Sequence, residues 1–458
     1  MLIQRTPDAY EKLQILGGMA AADDILSPTL YGKSKDNFRM PYSDPKKNSV
    51  PGVYRASMPN GKFINLMRVM FTDFCMMDCA YCPNSIYVPR KRYAFKREEL
   101  AQTFMELAGR HTVDGLFLSS GIAGSGSKTT EKLIDVVDLI RRKYGFKGYI
   151  HMKVMPGTEY QYVEAAHRLG TRLSVNIETP QHDMMQRISP HKDFQKGILD
   201  PMKWIDQLTK EKTGGTVAQA TQMVVGAADE SDQQIFQRID QLYTDWNMKR
   251  VYYAPFRPAR YTPMEEHPPV PSIREHRLYQ MDWLKRVYQF SNDEIGLAFD
   301  RSGFLSLEQD PKTVIAVENL DSFPVDINAA TREQLLRVPG VGPTSTDRIL
   351  ENRQHHTIDN WRDLQAMGVV RKRARPFLIF SGHRPPRAKQ LRLDLFNEAA
   401  GFGEREPQRP GTGLTPVLES SQSPFSKEGP GGVAPCGQAT SCTGCPMYGT
   451  PGHPGSAV

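Results

Sequence analysis

Short apolar, β-branched runs alternate with longer stretches of helical periodicity through the middle of the chain. The pattern predicts strands at 63–71, 116–119, 149–155, 173–177, 221–225 and 251–254, with helix-length segments such as 132–144 and 233–245 between them. Repeated strand–helix alternation implies a parallel sheet joined by right-handed crossovers, so 61–258 reads as an α/β core. In barrels built this way, functional residues stand at the C-terminal ends of the strands. The flanks differ in texture. Residues 1–60 read as a polar N-terminal extension with an amphipathic stretch at 10–16. Residues 259–322 connect through a proline-rich turn and a helix at 273–288 to a compact helical domain at 323–395. Residues 396–458 are rich in Gly, Pro and Ser and read as a flexible tail.

The chain has 458 residues, 39% hydrophobic and 24% charged, a composition that suits a globular protein with a sizeable core. No apolar run is long enough to cross a bilayer, and the first residues lack the apolar segment of a secretory signal, so a cytoplasmic protein without a membrane partner is expected. The formal net charge of +7 is modest for this length. Where the charge sits therefore matters more than its sum.

The six cysteines fall in two groups of three, and none is scattered as a disulfide framework would need. That distribution points to a reducing compartment and to metal use. Cys75, Cys79 and Cys82 form Cys-x3-Cys-x2-Cys directly after the first predicted strand. Thiolates at this spacing can hold three irons of a 4Fe–4S cube and leave the fourth iron open to a substrate. A zinc knuckle lacking one ligand is the alternative, although such sites usually pair Cys-x2-Cys elements. Cys436, Cys442 and Cys445, in the tail, are a candidate second metal site, for an auxiliary cluster or for zinc, that would need a fourth ligand such as His453. His151 and Lys153 share one face of the third predicted strand. They could reach a substrate, though a polar pair of this kind is more often structural.

The helical domain carries its own motif. Thr331 and Gln334 fit a capping box, Pro339 ends that helix, Gly340 and Gly342 permit a tight turn, and Pro343 suits the first position of the next helix. This is a helix-hairpin-helix pattern. Its turn, Gly340-Val341-Gly342 with Thr344 just beyond, would expose backbone N–H groups to a phosphate at a helix N-terminus. A degenerate copy aligns Leu364, Gly368 and Val369 with Leu336, Gly340 and Val341, and puts Val370 in place of Gly342. Arg371, Lys372 and Arg373 follow it, then Arg384, Arg387 and Lys389, a run able to displace counterions from a nucleic-acid backbone. A protein-contact module with a solvated basic face is the other reading. Pro343, Thr344 and Ser345 occupy the place where glycosylases with this hairpin have a lysine nucleophile, so glycosylase chemistry is not expected.

The cysteine run, with Tyr81 before its last cysteine, resembles the radical S-adenosylmethionine (SAM) superfamily. The resemblance implies a partial (β/α)6 TIM-like barrel, a 4Fe–4S cluster whose open iron takes the amino and carboxylate groups of SAM, a reducing electron donor, and cleavage of SAM to a 5′-deoxyadenosyl radical. It also implies roles for later strand ends. Ser119, Ser120 and Gly121 stand where the superfamily usually has Gly-Gly-Glu at the SAM amino group, here without the Glu. Asn176 and Glu178 resemble the ribose- and carboxylate-binding strand of biotin-synthase-like enzymes. Gly226 would lie in the turn that packs on adenine, with 253–257 nearby.

The barrel with its all-α helix-hairpin-helix domain is similar to a bacterial family described as DNA modification or repair radical SAM proteins, over about 55–390. That similarity implies a nucleic-acid substrate, DNA first, and a uracil-DNA-glycosylase-like protein as a partner. A tRNA- or RNA-modifying enzyme, and a non-enzymatic DNA-binding protein with a structural or redox-sensing cluster, are the alternatives.

Overall fold

The computed structural model describes residues 7–23, 50–57, 63–211 and 217–380. The chain divides into two compact units, Met1–Glu318 and Asn319–Val458.

In the first unit, α1 (Ala9–Asp23) precedes β1 (Val53–Ser57) and β2 (Phe63–Met70). Then α2 (Arg97–Gly109), β3 (Gly115–Ser119), α3 (Gly126–Asp138), β4 (Tyr149–Lys153), α4 (Tyr160–Leu169) and β5 (Arg172–Ser174) alternate. The short α5 (His182–Ile188) and α6 (Asp200–Glu211) lead to β6 (Ala218–Val225), α7 (Asp232–Asp245) and β7 (Arg250–Pro255). The unit closes with α8 (Ser272–Arg286), α9 (Asn292–Gly296) and α10 (Pro311–Glu318).

The strands form one sheet in the order β1-β2-β3-β4-β5-β6-β7. From β2 to β7 every pair is parallel, which is why a helix separates each strand from the next. The sheet is a curled half-barrel of α/β type. Its strands read as apolar runs because both faces are covered; β3, for instance, is buried throughout.

β1 is not among the predicted strands. It pairs antiparallel with β2, so residues assigned to the polar extension complete the sheet edge. Against it, α1 buries Leu13 and Leu16 fully, while Lys12 pairs with Glu99 at 2.8 Å. Helix ends follow local chemistry. Ser125 caps α3 by accepting from the Lys128 amide, and Ser231 and Gln234 form a capping box on α7.

Among the described residues, the second unit has four short α-helices, α11 (Arg332–Arg337), α12 (Pro343–Asn352), α13 (Trp361–Ala366) and α14 (Arg371–Ala374). It is not all-α. β8 (Val325–Asp326) and β9 (Leu378–Ile379) pair in parallel and join the start of the helical segment to its end. These strands have two residues each, too short to leave a periodic signature.

Candidate functional site

The first cysteine follows β2 by five positions, on a loop without regular structure. Side chains of the same loop hold it in place. Arg92 donates to the carbonyls of Asp73, Asn84, Ser85 and Val88 at 2.8–3.1 Å. The fully buried Asp73 accepts from the Tyr93 amide at 2.7 Å and pairs with Arg90 at 3.0 Å. One guanidinium bound to four carbonyls fixes a segment that has no ladder to fix it.

Cys75, Cys79 and Cys82 all line one cavity of about 110 Å³ at the C-terminal ends of the strands. Each sulfur has a hydrogen-bonding neighbour. Cys75 accepts from the Ile122 amide at 3.4 Å, Cys82 accepts from the Asn84 amide at 3.4 Å, and Cys79 meets the Ser189 hydroxyl at 3.3 Å. Burial pushes the Cys79 thiol up, against the pull of Lys192 and Ser189. A thiol in such surroundings ionises when a metal takes it. Among the described residues, no three His, Cys, Asp or Glu side chains converge on a single-ion site. A cube seats each thiolate on a different iron, and three sulfurs that share one cavity suit that arrangement.

The turn after β3 lies against this loop. Ser119, Ser120 and Gly121 line the cavity, and the Gly121 amide donates to the Thr72 carbonyl at 2.7 Å. A Cβ on Gly121 would come within 2.4 Å of the Phe74 carbonyl oxygen and 3.1 Å of the Cys75 Cβ. Glycine is needed there because the cysteine loop passes against its backbone.

The chain after β5 leaves the ladder sooner than its pattern predicts. The strand stops at Ser174, and Glu178 takes a left-handed φ of +64°. The Glu178 amide donates to the Gln222 carbonyl and its carbonyl accepts from Val224, which seats the kink beside β6. Asn176 and Glu178 still both line the cavity. Glu178 is already engaged: Lys192 reaches its Oε1 at 3.1 Å, and both side chains are buried. Lys192 also lies 3.4 Å from the Tyr81 hydroxyl, whose pKa is raised by burial and then by Glu178. Burial works against the charge on Lys192, but its pairing with Glu178 and its place beside the cysteine sulfurs raise its pKa above the ordinary range. Lys192 escaped the sequence reading because it sits in a loop 14 residues beyond Glu178, with no motif around it.

Removing one member of a buried pair strands the other charge. Lys192→Met is expected to lower stability by about 3 kcal/mol, and Glu178→Gln in the same chain to recover part of that loss. Urea denaturation of the single and double variants checks this.

Gly226 is not among the lining residues. Its turn has φ +81° and is held by the buried Glu230, whose carboxylate accepts from the Gly226 and Ala228 amides. A Cβ at Gly226 would strike Val270 at 2.3 Å, so this glycine serves packing against the connecting segment. Val224, Phe256 and Arg257 from the same strand ends do line the cavity.

In the second unit, Thr331 caps α11 and forms the capping box with Gln334. Gly340 turns with φ +82°, Gly342 is the N-cap of α12 and Pro343 its first residue. Gly368 repeats the left-handed turn with φ +93°, and the Val370 amide donates to the Gly340 carbonyl at 2.9 Å, tying the two turns together. Val341 and Val369 are both buried beneath them. Thr344, Arg371, Lys372 and Arg373 are exposed. Arg384, Arg387, Lys389, Cys436, Cys442, Cys445 and His453 lie outside the described residues. Among the described residues no helix is long and apolar enough to cross a membrane.

Residues 69–218 match the model of the radical SAM superfamily, so this segment carries a radical SAM domain. No curated protein matches the sequence. Solved structures similar to the chain include methylornithine synthase, at 16% identity over 47% of this chain and 60% of that one, with a TM-score of 0.38. HydG, a maturase of the FeFe-hydrogenase, is 12% identical over 75% and 82% of the two chains, with a TM-score of 0.39. A radical SAM methyltransferase from Sphaerobacter thermophilus is 11% identical over 46% and 64%, with a TM-score of 0.34.

Proposed function

We propose that the chain is a radical SAM enzyme that modifies or repairs nucleic acid, DNA in the first instance. The observation that carries the enzyme half is the placement of three cysteine sulfurs in one strand-end cavity within the matched segment. Cys75, Cys79 and Cys82 would hold a 4Fe–4S cluster; Asn176, Ser119, Ser120 and Gly121 would line the seat for SAM. When bound, the cluster supplies the electron that cleaves SAM. The chain's own residues do the rest: Arg92 fixes the cysteine loop, Gly121 lets the next turn close on it, and Lys192 holds the Glu178 carboxylate in place.

The nucleic-acid half is supported by the second unit, read as a tandem helix-hairpin-helix. The left-handed Gly340 turn leads into the ten-residue α12, whose N-terminus, with exposed Thr344, is the positive end of its helix dipole. Exposed Arg371, Lys372 and Arg373 stand close to the second turn and add sequence-independent attraction to phosphates. A strand gripped by this unit is present at raised local concentration for the cavity on the same chain. A base inside a duplex is inaccessible to a radical, so an extruded or single-stranded nucleotide is the expected form of substrate. Mass spectrometry of DNA from cells with and without the protein tests this reading. A nucleoside that changes only when the protein is present supports it, and a change confined to RNA overturns the choice of DNA.

A further inference from the structure

The end of α5 is joined to the cysteine loop through the main chain. The Ala80 amide donates to the Ile188 carbonyl at 2.8 Å. Ser189, the residue that ends the helix, donates its amide to the Met185 carbonyl at 2.8 Å and accepts from the Lys192 amide at 3.0 Å. This frame carries the Ser189 hydroxyl to the Cys79 sulfur, 3.3 Å away, with Ser189 fully buried and Cys79 nearly so. The same hydroxyl lies 3.4 Å from Asp78 Oδ1, and Asp78 Oδ2 meets His191 Nδ1 at 2.5 Å. A line of contacts thus runs from the Cys79 sulfur through two buried groups to His191, whose side chain is 80% exposed.

A Cys79 thiol can give its proton to Ser189, whereas a thiolate has none to give. Once Cys79 holds iron, the contact survives only with the hydroxyl as donor. That hydroxyl has one proton and two acceptors, Cys79 Sγ and Asp78 Oδ1, at nearly equal distances. Cys75 and Cys82 are served differently. They accept from the main-chain amides of Ile122 and Asn84, which cannot rotate away. A hydrogen bond to a ligating sulfur favours the reduced cluster, which carries one more negative charge, and so raises its potential. A carboxylate that draws the proton away lowers it.

We propose that Ser189 is a positioning residue that sets the reduction potential of the cluster through Cys79, with Asp78 competing for its proton. The inference rests on the cluster reading proposed above and is independent of the substrate.

The test is a redox titration of the full chain with its cluster reconstituted anaerobically. Dithionite supplies the electron, and electron paramagnetic resonance reads the reduced cluster. Ser189→Ala should keep the iron and sulfide of wild type, because the main chain holds the loop. Its ratio of reduced to oxidised cluster at a given poise should fall about tenfold, which for one electron is a shift of about 59 mV. Asp78→Asn should move the ratio the other way. In the double variant that rise should shrink, because the hydroxyl through which Asp78 acts is gone. Ser189→Gly, with a shift of the same sign, replaces Ser189→Ala if the latter does not fold. A serine variant with full iron content and an unchanged potential would overturn the proposal. A rise from Asp78→Asn that is as large without the hydroxyl as with it would overturn the competition, leaving the carboxylate to act by its charge alone. A wild type that takes up no iron or sulfide would remove the cluster reading itself, and this inference with it.

Discussion

Cys79→Ala is expected to yield a folded protein that cannot retain its iron and produces no 5′-deoxyadenosine above background. Cys79 is the most enclosed of the three thiols, 5% exposed, with Ser189, Lys192 and Tyr81 around it. An alanine there removes one of the three thiolates that would hold the cube. Loss of even an outer-shell partner commonly costs about 10–100-fold in metal affinity, so loss of a ligand should cost more. The fold should survive, because the loop is held by Arg92 and Asp73, not by the thiol. Iron and sulfide analysis with a far-ultraviolet circular dichroism spectrum checks both halves. A variant that keeps full iron would remove Cys79 from the cluster.

Gly340→Leu should abolish duplex binding while leaving the iron content of the barrel untouched. Its backbone is left-handed, and a Cβ there would come within 2.7 Å of the Val370 carbonyl oxygen and 3.0 Å of the Arg373 Cβ. The strain alone costs roughly 1–3 kcal/mol, and the clash pushes on the hydrogen bond that joins the two turns. Replacing Arg371, Lys372 and Arg373 together by Ala should act differently. Binding should weaken for every sequence alike, and the salt dependence should flatten by about one unit of slope for each phosphate that is no longer neutralised. Gel-shift titrations at several salt concentrations separate the two effects. Equal affinity of the Gly340 variant and wild type at moderate salt would remove this unit from nucleic-acid binding.

What could be read in advance follows from the physics of each element. The parallel strands were legible because β-strands buried on both faces are short and apolar, and the helices between them keep their period; 233–245 against the observed α7 shows how closely. Thr331 and Gln334 were legible because a capping box is a local device, complete within four residues. The misses are of another kind. β1 is five residues long and gains its place from pairing with β2, which no local pattern announces. The chain around Asn176 and Glu178 looked like a continuing strand because its alternation persists, while the left-handed Glu178 is imposed by neighbouring β6. Lys192 meets Glu178 only once separate elements are folded together.

On the proposed function, the cysteine triad drives SAM cleavage for chemistry on DNA. The most direct measurement of this is the yield of 5′-deoxyadenosine from anaerobically reconstituted protein with SAM and dithionite, with and without single-stranded DNA, duplex DNA or RNA. The expected result is measurable cleavage that DNA increases and Cys79→Ala removes. No 5′-deoxyadenosine under any of these conditions would contradict the enzyme, and an increase with RNA alone would contradict the substrate.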